Sequence, residues 1–158
     1  MKAWIVHDSQ FGNGENLAKT LAQTFEKEMK VNIGHVNNTS ASKVVTDSPD
    51  LVVVGAAVRA FVTCGASKKW ISQLHKELKK ADKTIDYGVT FLTHAMPKKM
   101  INGKGKRLNK RLAKSPNISK VYPEFLSGQV IGQEGPFKEH VLPEIERYAA
   151  EIVKWIKK

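Results

Sequence analysis

The chain has 158 residues, 26 Lys and Arg against 15 Asp and Glu, a formal net charge of +11, 41% hydrophobic content and a lone cysteine, Cys64. A chain of this length forms one domain, 1–158, and buries roughly two-thirds of its unfolded surface, so its core needs no metal or disulfide staple. A single thiol excludes an internal disulfide framework. His7 and Asp8 interrupt the first apolar run before it reaches secretory length, and no later run approaches the ~18 residues of a membrane span, which predicts a soluble, cytoplasmic protein.

Trp4, Ile5 and Val6 make Lys2 to His7 a strand buried on both faces. The turn-rich stretch Asp8 to Gly14 follows, and then Leu17, Leu21 and Phe25 recur at helical spacing with Ala18 and Ala22 beside them. Val31 to Val36 reads as a second strand, Asn37 to Ser42 as a polar loop, and Leu51 to Val54 as a third strand. Ile71, Leu74 and Leu78 mark a helix that Ser67 is placed to cap, and Tyr87 to Thr93 a fourth strand. Leu108 and Leu112 mark a short basic helix, and Phe125 to Ile131 a fifth strand broken by Gly128. The last helix carries Ile145, Tyr148, Ile152 and Trp155 as one stripe. Strands and helices in alternation call for a five-stranded parallel sheet, doubly wound, with helices on both faces as a three-layer α/β sandwich. In such sheets a ligand lies at the carboxyl ends of the strands where the strand order reverses, which directs attention to the loops after strands one, three and four.

The first of these loops, Ser9-Gln10-Phe11-Gly12-Asn13-Gly14-Glu15, brings two glycines, a hydroxyl and an amide to a helix N-terminus. Backbone N–H groups and the helix dipole together suit a phosphate there. The loop lacks the Gly-Lys-Ser/Thr of a Walker motif and the third glycine of the dinucleotide fingerprint. A plain strand-to-helix turn capped by Asn13 accounts for the same residues equally well.

This loop resembles the flavodoxin phosphate loop, commonly Ser/Thr-X-Thr-Gly-Asn-Thr-Glu. Leu51 to Arg59, ending Gly55-Ala56-Ala57-Val58-Arg59, is similar to the third strand and flavin loop of the same family, closest in wording to its menaquinone-dependent protoporphyrinogen oxidases. The resemblance implies a flavodoxin-like fold and noncovalent FMN, in an electron carrier or in an oxidoreductase acting on a quinone or porphyrinogen. It implies that Ser9, Gln10, Phe11, Gly12, Asn13 and Gly14 surround the phosphate. Ala57, Val58, Arg59, Ala60 and Phe61 would line one side of the ring, and Thr93, His94 and Ala95 the other. Phe11 and Gly14 stand where flavodoxins usually have threonines, so two hydroxyl donors are missing, each worth about 0.5–1.5 kcal/mol. The alternative is a flavin-free module of the same fold that binds an anionic partner through its basic face, residues 98–120.

His94 is a candidate proton donor to the flavin or to a substrate. Cys64, beside a helix start, is placed for a lowered thiol pKa, although no paired base accompanies it. His7, Asp8 and His94 share no recognised ligand spacing, and no metal is expected. From Tyr87 to Pro123 the chain has no acidic residue and nine basic ones: Lys98, Lys99, Lys104, Lys106, Arg107, Lys110, Arg111, Lys114 and Lys120. Flavodoxins are typically acidic, so the resemblance implies a reversed polarity, with an anionic redox partner protein or an acidic small molecule as the expected partner. Nucleic acid is disfavoured because aromatic residues occur only towards the ends of the basic stretch, and peripheral contact with anionic lipid stays open. Nine charges at about 10 Å would favour an anionic reduced flavin by roughly 1.4 kcal/mol at physiological salt, or about 60 mV for one electron. The expected outcome is a midpoint potential that falls as salt is raised; a redox titration indifferent to salt would remove this electrostatic role.

Overall fold

The computed structural model describes all of residues 1–158. The elements in chain order are β1 (Lys2–His7), α1 (Asn13–Phe25), β2 (Lys30–His35), α2 (Ala41–Asp47), β3 (Leu51–Arg59), β4 (Val62–Thr63), α3 (Gly65–Ala81), β5 (Ile85–His94), α4 (Lys98–Leu112), β6 (Ile118–Val121), β7 (Leu126–Gln129) and α5 (Val141–Ile156). The main sheet is parallel in the order β2-β1-β3-β5-β6, and β7 continues along β5 beyond β6. Only the two-residue β4 runs antiparallel, folded back on the end of β3. No helix is long and apolar enough to cross a membrane.

Strand side chains alternate between two cores, which is why the strands read as unbroken apolar runs. Ala3, Ile5, Val53, Val89 and Phe91 face α1 and α5, where Leu17, Leu21, Phe25, Ile145 and Ile152 are buried. Trp4, Val6, Val52, Val54 and Leu92 point the other way, onto Val44 of α2, Trp70, Ile71 and Leu74 of α3, and Leu108 and Leu112 of α4. The chain passes from β1 outward to β2 and then back across to β3 and β5, so the strand order reverses between β1 and β3. The carboxyl ends of those strands part there and leave a crevice.

Three elements differ from the sequence reading. The second crossover contains α2 after the polar loop, started by Ser40, whose hydroxyl accepts the Lys43 N–H at 3.1 Å. The basic helix is not confined to Leu108 and Leu112 but spans Lys98–Leu112, with Ile101 and Gly105 adding to its buried face. Two glycines in its middle lower its intrinsic propensity, yet Gly105 is what lets the Phe125 ring lie against the helix, since a Cβ there would fall on the ring. The strand expected over Phe125 to Ile131 is β7, which runs through Gly128 unbroken, and a further edge segment not anticipated, β6, precedes it on the far side of a break at Tyr122 to Phe125. Pro123 cannot donate to a ladder, and the buried Asn109 side chain bonds the chain at that break, donating to the Tyr122 carbonyl at 2.9 Å and the Pro123 carbonyl at 3.0 Å.

Asn109 also accepts from the fully buried Thr90 hydroxyl of β5, so one amide ties α4 to the sheet and to the link between β6 and β7. Asn109→Ala leaves a buried hydroxyl and two carbonyls without these partners, and is expected to cost about 2–4 kcal/mol. Thermal melting should show a drop of roughly 5–15 °C, and a change of less than about 2 °C would show that the break is held by other contacts.

Candidate functional site

The residue that follows β1 is Asp8, only 5% exposed. Its Oδ1 accepts the Ala57 N–H at 2.8 Å, and its backbone carbonyl accepts an Arg59 guanidinium N–H at 2.9 Å. Ser67 Oγ lies 2.8 Å from Asp8 Oδ2 and 2.7 Å from the Gly55 carbonyl, and donates its single proton to one of them at a time. Asp8 therefore fastens the end of β1 to the end of β3 and to the first turn of α3. Ser67 serves this junction from inside the helix; the N-cap position belongs to Cys64, and no side chain caps α3.

The next residue, Ser9, is held by two imidazoles. Its N–H donates to His7 Nδ1 at 3.2 Å, and its carbonyl lies 3.0 Å from His35 Nε2. His35 Nδ1 accepts the Asn37 N–H at 3.1 Å, so in the neutral ring Nε2 carries the proton and donates to Ser9. The two rings meet edge to face, 5.3 Å between centroids. Ser9 Oγ then accepts the Gly12 N–H at 3.0 Å, closing the loop, and Gly12 enters α1 at φ +91°, a conformation that favours glycine. A Cβ on Gly14 would stand 3.2 Å from Ser9 Cβ. The glycine found where flavodoxins usually carry a threonine thus fits a loop wound tightly on its own serine.

The amides of Gln10, Phe11, Asn13, Gly14 and Glu15 donate to no protein acceptor, while Asn16 makes the first helical bond, to Gly12. Five free donors around a helix N-terminus form a cradle for an anion. Asn13 does not cap the helix. Its Nδ2 donates to the Gln133 carbonyl at 2.9 Å and binds the loop after β7 to the cradle.

The third wall ends in His94, the last residue of β5 and 2% exposed. Nδ1 lies 2.6 Å from the Met96 carbonyl, which can only accept, so Nδ1 carries the proton; Nε2 then accepts from Ser127 Oγ at 2.7 Å. Both nitrogens are engaged, and the ring braces the loop instead of offering a free proton donor. The Cys64 thiol is also not activated, because burial, first among the causes, pushes its pKa up.

Ser9, Gln10, Phe11, Asn13 and Gly14 come together with Ala57, Val58, Arg59 and Ala60 and with Thr93, His94 and Ala95 around one groove of about 270 Å³. Gly12 shapes the turn without lining this groove, and Phe61 points into a neighbouring one. Val130 and Gln133 complete the wall and were not anticipated; the turn-forming Gly132-Gln133-Glu134-Gly135-Pro136 after the last strand was the available signal. Asp8, His35 and Ser127 were likewise missed, because their work is to hold other residues and their partners lie far away in sequence. No three His, Cys, Asp or Glu side chains gather in a group able to hold a metal.

No protein-family model and no curated protein sequence matches the chain. Solved structures do. An oxidised flavodoxin 1 from Bacillus cereus superposes with a TM-score of 0.72 at 16% identity, covering 98% of each chain. A flavodoxin, WrbA-like protein from Agrobacterium tumefaciens gives 0.73 at 14% identity over 99% of this chain and 97% of its own. The rubredoxin:oxygen oxidoreductase of Desulfovibrio gigas gives 0.75 at 16% identity, with 99% of this chain matching 36% of that one. The class defined by sheet order and crevice is therefore the flavodoxin-like fold. Within it, this chain is a strongly basic example whose anion cradle consists largely of backbone.

His7, His75 and His94 have pKa values below the ordinary imidazole value, with burial the largest cause in each. For His7, His35 lowers it further, against opposing effects from Glu15 and Asp8. Unfolded imidazoles take up protons near pH 6.5 while the folded ones resist, so these groups add no pH dependence well above about 6.5 and remove stability as pH falls through it towards the lowered folded values. Melting temperature should be flat from pH 8 to about 7 and fall below about 6.5, with a shallower fall in His94→Gln. An unchanged slope in that variant would exclude His94 from the proton uptake.

Proposed function

We propose that the protein binds FMN noncovalently in the groove between the β1, β3 and β5 loops and carries electrons. The observation that carries this reading is the anion cradle, five free backbone amides beside Ser9 Oγ, opening onto walls from the other two loops. The residues present fit the group: the amides and the Ser9 hydroxyl hold the phosphate, and Val58, Arg59 and Ala60 face Thr93, His94 and Ala95 across the space for the ring. The missing threonine hydroxyls leave phosphate binding to backbone N–H groups. Bound flavin supplies the one- and two-electron chemistry.

A carrier is favoured over an oxidoreductase acting on a quinone or porphyrinogen. Oxidising a porphyrinogen releases protons and reducing a quinone takes them up, so either reaction needs a proton-transfer group beside the ring, and no carboxylate, lysine or thiol lines the groove. Arg59 is bonded to the Asp8 carbonyl, and His94 has both nitrogens occupied. The protein's own part is to bind, orient and shield.

Fluorescence titration of the apoprotein with FMN and with riboflavin tests the assignment. Charge-assisted bonds to the phosphate are worth about 1.5–3 kcal/mol each, so riboflavin should bind at least about tenfold more weakly. Gly12→Val, forcing a branched residue into a positive φ, should weaken FMN by about tenfold and riboflavin much less. Equal affinity for the two flavins would place the phosphate elsewhere, and no binding of either would leave the flavin-free interaction module as the account of the fold.

A further inference from the structure

A second groove, of about 430 Å³, adjoins the first and is lined by six cations, Lys68, Lys104, Arg107, Lys110, Arg111 and Lys114, and by no acidic residue. None of the six takes part in an ion pair; the four pairs of the chain are Lys2 with Asp47, Lys19 with Glu15, Arg147 with Glu151 and Lys157 with Glu28. None makes a side-chain hydrogen bond within the protein either. Lys104, Arg107, Arg111 and Lys114 follow one another at three- and four-residue steps, a stripe along α4 and its end about 15 Å long at 1.5 Å per residue. Like charges one turn apart destabilise a helix, and Lys68 stands in the first turn of α3, where the helix dipole opposes a cation. An external anion would relieve both.

The other wall is apolar and protrudes. Phe61, 65% exposed, in the turn of the β3–β4 hairpin and Val62, 60% exposed, the first residue of β4, line it together with Leu108. The stripe is longer than a small anion, and a nucleic-acid strand would find one aromatic ring where base stacking uses several. An acidic helix presents carboxylates at the same one-turn spacing, with apolar side chains between them. Ala60 lines the cofactor groove and Phe61 this one, so whatever docks here lies beside the proposed redox centre.

We propose that this groove docks an acidic amphipathic α-helix of a partner protein, its carboxylates along Lys104, Arg107, Arg111 and Lys114 and an apolar side chain against Phe61 and Val62. That the partner exchanges electrons rests on the carrier reading above; the docking does not. The test is an NMR titration of the 15N-labelled apoprotein with an acidic amphipathic peptide of about 20 residues, Glu at one-turn spacing and Leu between. Oligothymidine of about 12 nucleotides and inorganic tripolyphosphate are run beside it. The expected result is saturable shifts at residues 61–63, 68 and 104–114, weakening steeply between about 50 and 300 mM salt. The triple variant K104E/R107E/R111E should lose at least about tenfold in peptide affinity, and V62D, on the opposite wall, should lose affinity too. Unchanged resonances in the rest of each variant establish that it is folded. Tighter binding of oligothymidine or tripolyphosphate than of the peptide at the same salt would overturn the proposal, as would peptide affinity unaffected by either variant or no binding at all. Failure of FMN to bind, with peptide docking intact, would remove the carrier reading alone.

Discussion

The site depends on one buried carboxyl group. Asp8 follows β1 directly and engages β3 through Ala57, Arg59 at the end of that strand through its own carbonyl, and α3 through Ser67. Parallel strands whose order reverses splay apart at their carboxyl ends, and the gap exposes backbone groups of both strands. A short acceptor at the first position after β1 satisfies donors across that gap without filling it. The crevice stays open because Asp8 closes its floor.

On that floor the cradle is assembled in a chain of dependent contacts. His7 and His35 fix both polar groups of the Ser9 peptide, Ser9 Oγ fixes Gly12, and Gly12 turns the chain into α1 with its first amides free. The same tightness accounts for the departure from the usual flavodoxin wording, since Gly14 packs close to Ser9. Hydroxyl donors are exchanged for backbone donors, which suit a phosphate and cannot be lost by side-chain rotation.

The charge distribution sets two grooves apart on either side of one hairpin. The groove between the β1, β3 and β5 loops is lined by small, polar and apolar residues with a single arginine already engaged, while the neighbouring groove gathers six unpaired cations. Ala60 and Phe61, both at positive φ, form the turn that separates them. That turn explains why Phe61, expected against the ring, faces the basic side.

The sequence by itself determined the architecture. Continuous apolar strand runs, the helical stripe of α5 and turn residues at strand ends specify an alternating α/β sheet, and the glycine loop marks a tight turn into a helix start, because these signals are local. Only the tertiary structure decided the rest. The length of α4 was hidden by its glycines and the break in the edge strand by its dependence on Asn109, fourteen residues from Pro123. In the sequence His94 is a candidate proton donor; in the fold Ser127, thirty-three residues away, occupies its second nitrogen. Asp8 carried no motif, since its partners at 57, 59 and 67 become neighbours only when β1, β3 and α3 converge. Roles defined by a residue's own backbone pattern are legible in one dimension; roles defined by which distant donor needs an acceptor exist only after the chain has folded.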